Sequence, residues 1–162
     1  MNKAYLETDN RQPTTDNQIM ITVHQVETPA DLAAAFAIRE KVFVDEQQVV
    51  TRSEENDAFD DTARHYLAKA DGMPCGAARW RKTDKGVKLE RFAVLPQFRN
   101  QEVGSHILQR VVADVKAVYP TETMYLHAQV PAVNFYARQG FEKVGEIFSE
   151  CDIDHYKMVL RA

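Results

Sequence analysis

Three strand-like runs separated by short turn signals are the feature that most constrains the fold of this chain. The runs read RHYLAKA, PCGAARWRKT and VKLERFAVL, and the turns between them are Asp71-Gly72 and Asp84-Lys85-Gly86. Short turns that contain glycine join strands that run antiparallel to each other. The middle of the chain therefore predicts an antiparallel meander of three strands.

Strand and helix patterns flank this meander on both sides. Before it, IMITVHQV predicts a strand, and ADLAAAFAIREKVFV predicts a helix with Thr28 as its N-cap and Pro29 as its first residue. The acidic segment that follows predicts a short helical piece and a long loop. After the meander, GSHILQRVVADVKAVY repeats apolar residues at helical spacing. TMYLHAQ, PAVNFYARQG, FEKVGEIFS and HYKMVLRA then predict a strand, a short helix and two last strands.

This order of elements predicts an α/β domain of the layered α+β kind. The expected core is a mixed, mostly antiparallel sheet of about seven strands with helices on both faces. We expect a single domain over residues 19–162, because a chain with 44% hydrophobic residues can bury one sizeable core. Residues 1–18 are polar and aperiodic, and we expect them to form a disordered N-terminal tail.

Composition narrows the classes of partner and the location. The formal net charge of -4 argues against nucleic acid or an anionic membrane as the main partner, since both prefer a basic surface. No apolar run approaches the roughly 18 residues of a membrane span, and the first residues lack the apolar core of a signal peptide, which predicts a cytoplasmic protein. Cys75 and Cys151 have no metal-like spacing, and we expect both to be free thiols.

The segment from Glu90 to Val111 carries the clearest chemical signal. A strand-like run stops at Pro96, Arg99 follows, and a helix opens around Gly104. The unpaired N–H groups of a first helical turn bind anions, most naturally phosphate, and a nearby guanidinium adds positive charge. A carboxylate at Glu102 would repel phosphate if it faced inward, so we expect its side chain to face solvent. From these residues alone, a simple turn into a packed helix remains the alternative.

The same segment resembles motif A of the GNAT superfamily of N-acetyltransferases. The motif has the form V-x-P-x-x-R-x-x-G-x-G/S, and its first glycine is missing here; the matching residues are Val94, Pro96, Arg99, Gly104 and Ser105. Within the superfamily, the chain is similar to the ElaA/YjcF-like group in four segments that occur in the same order. These segments are REKVFVDEQ, KLERFAVL, HAQ followed by NFYARQGF, and IDHYKM.

The resemblance implies acetyl-CoA as co-substrate and no metal. In such proteins the pantetheine arm runs along a splayed strand, the pyrophosphate lies on the loop before a helix, and a tyrosine lies near the thioester sulfur. The implied cofactor-binding residues are Phe92, Ala93, Val94, Arg99, Asn100, Gln101, Glu102, Val103, Gly104, Ser105, Gln129 and Tyr136.

Transfer of an acetyl group to an amine needs a base for the amine proton and a donor for the departing thiolate. Tyr136 is the candidate general acid. The base is open among Glu90, His127 and His155. Each has a structural alternative: Glu90 as the partner of an arginine across the meander, His127 as a hydrogen-bonded strand residue, and His155 as a residue facing solvent. Phe135 we expect in the core.

The acidic segment after the first helix lies where GNAT proteins usually bind their acceptor. Glu46 with Asp57 or Asp60 would suit a cationic amine, and the resemblance adds His65 and Arg91 to this pocket. The alternative is a solvated loop, which runs of charge usually are. The spacing does not match a calcium-binding loop.

Together these expectations describe an N-acetyltransferase that moves an acetyl group from acetyl-CoA to a primary amine of a small molecule or peptide. Transfer would be direct, within a ternary complex, because neither cysteine has an adjacent base in sequence that would make it a nucleophile. We expect no nucleic-acid or membrane partner, and a homodimer is compatible with the chain. The alternative function is a non-catalytic module that binds or senses acyl-CoA.

Overall fold

The computed structural model describes residues 18–51, 55 and 57–162, and in these residues seven strands form one mixed sheet. The strands are β1 (Ile21–Gln25), β2 (Arg64–Ala70), β3 (Met73–Thr83), β4 (Gly86–Val94), β5 (Met124–Gln129), β6 (Glu142–Glu150) and β7 (Ile153–Leu160). Their order across the sheet is β1-β2-β3-β4-β5-β7-β6, and only the β4–β5 pair is parallel. The predicted fold class is confirmed. The expectation of a disordered tail lies outside the described residues, apart from Gln18.

The predicted meander is β2, β3 and β4. Asp71 and Gly72 join the first two strands with φ angles of 48° and 83°. Positive φ at both central residues is the geometry of the hairpin turn that matches strand twist. The Asp-Gly pair therefore indicated the turn, whereas the register of the hairpin shifts at a bulge between Ala68 and Lys69.

The helices are α1 (Pro29–Arg39), α2 (Val103–Val118) and α3 (Val133–Arg138), and the helix after α1 is a π-helix (Glu40–Glu46). Thr28 caps α1 as predicted, because its Oγ1 accepts from Asp31 N at 3.1 Å. Short 3-10 turns form at Ala58–Asp61, Pro96–Phe98 and Val130–Ala132. No helix among the described residues is long and apolar enough to cross a membrane.

The helices α1 and α2 cover opposite faces of the sheet. Gly76 of β3 faces α2, since a Cβ atom added there would lie 2.7 Å from Ile107 Cδ1. Arg79 of β3 points to the other face, where its guanidinium and that of Arg39 from α1 both bind Asp60. Because successive side chains of a strand alternate between faces, the sheet has one apolar face under α2 and one charged face under α1.

The strands β4 and β5 diverge soon after they begin to pair. Only two parallel pairs join them, Val87 with Met124 and Lys88 with Tyr125. Arg91 has a φ of 56° at a register shift between β3 and β4, which makes a β-bulge, and such bulges bend a strand. A gap therefore opens between the carboxyl-terminal halves of β4 and β5.

Candidate active site

A cavity of about 360 Å³ lies at this gap, on the α1 side of the sheet. Its walls are formed by side chains of β3, β4, β5 and β7, of the end of β6 and the β6–β7 turn, of α3, and of the segment after α1, which contributes Phe43, Val49, Val50, Asp57 and Phe59. The residues identified in the sequence that line the cavity are Asp57, Glu90, Arg91, Phe92, His127, Gln129, Tyr136 and His155. Those that do not line it are Glu46, Asp60, His65, Ala93, Val94, Arg99, Asn100, Gln101, Glu102, Val103, Gly104 and Ser105.

Glu90 is the centre of the charged wall formed by β3 and β4. It accepts from Arg79 Nε at 2.8 Å and from Arg81 Nε and Nη2 at 3.0 Å, and Lys88 Nζ lies 3.3 Å away. Burial raises the pKa of Glu90, but the hydrogen bond from Arg81 and the charges of Arg79 and Lys88 outweigh burial and lower it to about 2. A carboxylate this acidic is a weak proton acceptor at neutral pH, so the geometry favours the structural alternative for Glu90.

The carboxylates of the acidic segment are bound to arginines. Asp57 accepts from Arg79 Nη1 at 2.8 Å and Nη2 at 3.0 Å, and Asp60 accepts from Arg79 Nη1 at 2.6 Å and Arg39 Nη1 at 2.9 Å. Burial opposes ionisation of Asp57, but the hydrogen bond from Arg79 outweighs it and lowers the pKa to about 2. The negative charges of Asp57 and Asp60 are therefore offset within the protein, and the segment is not a simple solvated loop.

His127 and His155 reach the cavity on either side of one carboxylate. Glu150, the last residue of β6, places Oε1 3.4 Å from His127 Nδ1 and Oε2 3.8 Å from His155 Nε2. His155 Nδ1 lies 2.7 Å from the Ile153 carbonyl oxygen, which can only accept, so Nδ1 carries the proton. The other nitrogen of neutral His155, Nε2, therefore presents a lone pair. His155 is only 6% exposed, so it does not face solvent as the alternative had it.

The hydrogen bond from His127 lowers the pKa of Glu150, which keeps this carboxylate ionised beside the two rings. The ring of Phe148 packs between them, edge-to-face on His127 at 5.0 Å and stacked on His155 at 5.7 Å. This cluster therefore has the parts of a base: a lone pair, a fixed ring and a counter-charge for the protonated form.

Tyr136 and Gln129 close the cavity on the side of α3. Tyr136 is buried, and its ring lies edge-to-face with Phe92 of β4 at 6.3 Å. Gln129 Nε2 donates to Gln47 Oε1 at 3.3 Å, which ties the end of β5 to the segment after the π-helix. Phe135 is buried in the core, as expected. Among the described residues that line the cavity, Tyr136 is the only tyrosine.

His65 lies behind the acidic segment rather than in the cavity. Its Nε2 is 2.9 Å from the Asp60 carbonyl oxygen, and its ring is edge-to-face with Phe36 at 5.5 Å. Burial lowers the pKa of His65. These contacts favour a neutral ring that holds the segment in place.

The loop before α2 has the backbone geometry expected of an anion-binding helix start. Asn100 and Glu102 have left-handed φ angles of 62° and 67°, and Glu102 makes no side-chain capping bond. Glu102 is the N-cap residue of α2. The N–H groups of the first turn have no partner within a helix, and the helix dipole adds positive potential there.

Arg99 connects this loop to the end of β4. Its Nε donates to the Val94 carbonyl oxygen at 3.0 Å, and its Nη1 and Nη2 donate to Glu46 at 2.7 and 2.6 Å. The bond from Leu95 N to Cys75 O makes Val94 and Gly76 a non-hydrogen-bonded pair, so the backbone groups of Val94 point toward the gap. Glu46 is therefore a partner of Arg99, which the sequence did not indicate.

Several residues of the site were not proposed from the sequence. The alternation of Arg79 with Arg81, and of Lys88 with Glu90, could have indicated one charged face of the meander. Nothing local marked Glu150, because the turn after it, Cys151-Asp152, has positive φ angles of 51° and 59° without the glycine that usually signals such a turn. Both cysteines are free thiols, as expected, with Cys75 buried and Cys151 exposed.

The lining of the cavity suits an organic substrate. Among residues 18–51, 55 and 57–162, no three His, Cys, Asp or Glu side chains are grouped so that they could hold a metal ion. The cavity instead combines an aromatic wall with a few charged and titratable groups, which is typical of small-molecule sites.

Comparison with known proteins places this geometry in a family. A family model described as an acetyltransferase (GNAT) domain matches residues 20–162. A relative from Bacillus subtilis, described as the uncharacterized N-acetyltransferase YjcF, is 36% identical over 129 residues, which are 79% of this chain and 91% of that protein. The crystal structure of Escherichia coli ElaA has a TM-score of 0.76 and 27% identity over 87% of this chain and 98% of its own. An acyl-CoA N-acyltransferase structure from Pseudomonas aeruginosa also has a TM-score of 0.76 and 27% identity, covering 89% and 99%.

Proposed function

Because the chain belongs to the GNAT acetyltransferase family, we propose that it moves an acetyl group from acetyl-CoA to a primary amine of a small molecule or peptide. It is an acyltransferase. The use of an amine as acceptor and direct transfer within a ternary complex belong to the proposal. Acetyl-CoA is a cytoplasmic metabolite, and we propose that the enzyme acts in the cytoplasm.

The observation that carries this proposal is the fixed tautomer of His155 at the edge of the cavity. The Ile153 carbonyl holds the proton on Nδ1, which leaves Nε2 free to accept a proton from an attacking amine. The carboxylate of Glu150, 3.8 Å away, would stabilise the imidazolium that results. His127, bonded to the same carboxylate, is the alternative base, and the low pKa of Glu90 makes it a weaker candidate.

The residues present also fit acetyl-CoA. The gap beside β4 leaves room for an extended pantetheine arm along Phe92, Ala93 and Val94, and the uncapped start of α2 suits a pyrophosphate. Acetyl-CoA supplies the activated acyl group as a thioester. In the proposed reaction the Val94 N–H, which points toward the gap, polarises the carbonyl of that group. Tyr136 donates a proton to the departing thiolate while His155 takes the proton of the amine.

The experiment measures release of free thiol from acetyl-CoA with a panel of primary amines. Loss of a general acid or base costs about 10²–10⁴-fold in rate. We expect losses in that range for Tyr136→Phe and His155→Gln, with the affinity for CoA retained in both. His24→Gln is the matched control, because His24 pairs with Asp31 away from the cavity.

Two results would contradict the proposal in different ways. Full activity of His155→Gln would remove that residue as the base and leave His127 to be tested in the same way. Binding of CoA without amine-dependent thiol release from any acceptor would instead favour the non-catalytic binding module.

A further inference from the structure

Two cations face each other on the wall that β3 and β4 contribute to the cavity. Arg81 and Lys88 are direct cross-strand partners, and both line the cavity. Their side chains remain 17% and 19% exposed, so a ligand can reach them. Like charges directly opposite each other on neighbouring strands are destabilising, and such a pair needs a compensating anion.

The protein supplies only part of that compensation. Glu90 bonds Arg81 through both of its oxygens at 3.0 Å, and the same carboxylate lies 3.3 Å from Lys88. Arg79 also bonds Glu90, but it has Asp57 and Asp60 as further partners. Arg81 and Lys88 therefore share the carboxylate of Glu90, and the charge of Lys88 also helps to lower the pKa of Glu150.

Arg81 is held ready for a ligand rather than left mobile. Its guanidinium lies 3.8 Å from the ring centroid of Phe59, and two of its nitrogens are fixed on Glu90. A planar guanidinium that is stacked and oriented in this way loses little side-chain entropy when it binds an anion. Phe59 is itself 48% exposed and lines the cavity, so the stacked pair forms part of the binding surface.

The opposite wall carries the complementary charge. Glu150 lies there between His127 and His155, the two proposed bases. Among the described residues, the cavity and the network behind it contain five cations and five carboxylates. The cations are Arg39, Arg79, Arg81, Lys88 and Arg91, and the carboxylates are Glu55, Asp57, Asp60, Glu90 and Glu150. The site therefore has no net negative charge that would attract a ligand carrying only a positive charge. The cations of the β3–β4 wall instead face the carboxylate of Glu150 on the other wall.

We propose that the acceptor carries an anionic group, such as a carboxylate or a phosphate, which binds between Arg81 and Lys88 while the amine lies at His155. This inference rests on the proposed function and names the class of its substrate. The acceptor is compact, because Lys88 pairs with Tyr125, His127 lies about 7 Å further along β5, and His155 shares the carboxylate of Glu150 with His127.

The first test compares matched amines in the thiol-release assay. We expect kcat/KM to be higher for β-alanine and for 2-aminoethyl phosphate than for β-alaninamide, by about ten-fold or more, as for a hydrogen-bonded charge pair. In Lys88→Met this preference should fall to near unity, and in Lys88→Arg it should persist. Lys85→Met in the exposed β3–β4 turn is the control and should keep the preference. Equal rates for β-alanine and its amide in the wild type would overturn the inference and leave the transferase intact.

The second test does not depend on turnover. N-acetyl-β-alanine and its amide are titrated by calorimetry into the protein saturated with CoA. We expect the carboxylate to bind more tightly in the wild type and equally in Lys88→Met. Equal binding in the wild type would refute the anion site, whereas tight binding of the carboxylate without thiol release from any amine would support the site and refute the proposed transfer.

Discussion

The two faces of the sheet are held together by different interactions. Under α2, a polar chain runs from Trp80 Nε1 through Tyr66 OH to Asp114, with bonds of 3.0 and 2.8 Å, amid apolar side chains such as Ile107. Arg110 Nη1 of the same helix donates to the Val23 carbonyl oxygen of β1 at 2.7 Å. Under α1, the buried guanidinium groups of Arg39 and Arg79 are surrounded by carboxylates.

The apolar face under α2 mainly stabilises the fold, whereas the ionic face under α1 mainly fixes the geometry beside the cavity. Apolar burial stabilises a fold without requiring one exact geometry, and well-packed cores tolerate many sequences. A buried ionic network adds little net stability over apolar replacement, but removing one member leaves uncompensated charges and is costly. The α1 face therefore fixes the acidic segment and Glu90 in one arrangement beside the cavity, at a place where apolar packing would leave more freedom.

The largest effect is expected when the network loses its central cation. Arg79→Leu leaves Asp57, Asp60 and Glu90 without their shared partner, and the free energy of unfolding should fall by about 3–5 kcal/mol. Urea denaturation followed by circular dichroism measures the change. The control is Lys82→Leu on the same strand, whose exposed pair with Glu122 is worth less than about 1 kcal/mol. Equal losses of unfolding free energy in both variants would show that the network stabilises the protein no more than one exposed ion pair does.

The apolar face should respond less to loss of one polar group. Tyr66→Phe removes the acceptor of the Trp80 N–H, which is buried, and the cost should be about 1–3 kcal/mol. The same denaturation experiment measures it. CoA affinity and thiol release should be unchanged, because Tyr66 lies on the face away from the cavity. A loss of activity larger than the loss of folded protein would mean that the two faces are coupled.

The contrast between the faces also explains which parts of the structure were predictable. Local signals indicated the three strands of the meander and its first turn at Asp71-Gly72, but not the register shifts in its two strand pairs. The gap between β4 and β5 was expected only through family resemblance, because the divergence depends on a bulge at Arg91, a residue with no local signal for positive φ.

The charged face was the least predictable region. Arg39 meets Glu55 and Asp60 across 16 and 21 residues of chain, and Arg99 meets Glu46 across 53. Ion pairs of this kind depend on the tertiary fold, and neither composition nor periodicity selects one partner among many charges. The sequence therefore indicated that the acidic segment mattered, but not that its carboxylates bind the protein's own arginines.

The last prediction concerns the pH dependence of stability and separates the two faces directly. The pKa values of Asp57 and Glu90 are lowered to about 2 in the folded protein, so their stabilising effect is present above the unfolded pKa, near 4, and is lost as the pH falls toward 2. The free energy of unfolding should decrease over that interval in the wild type and, in parallel, in Tyr66→Phe. In Arg79→Leu the decrease should be shallower, by up to about one proton, because Asp57 loses the main cation that lowers its pKa, whereas Glu90 keeps Arg81 and Lys88. Urea denaturation at a series of pH values between these limits measures the slopes. Three parallel slopes would show that Arg79 does not hold these carboxylates ionised, and the proposed division between an apolar face and an ionic face would then lose its electrostatic basis.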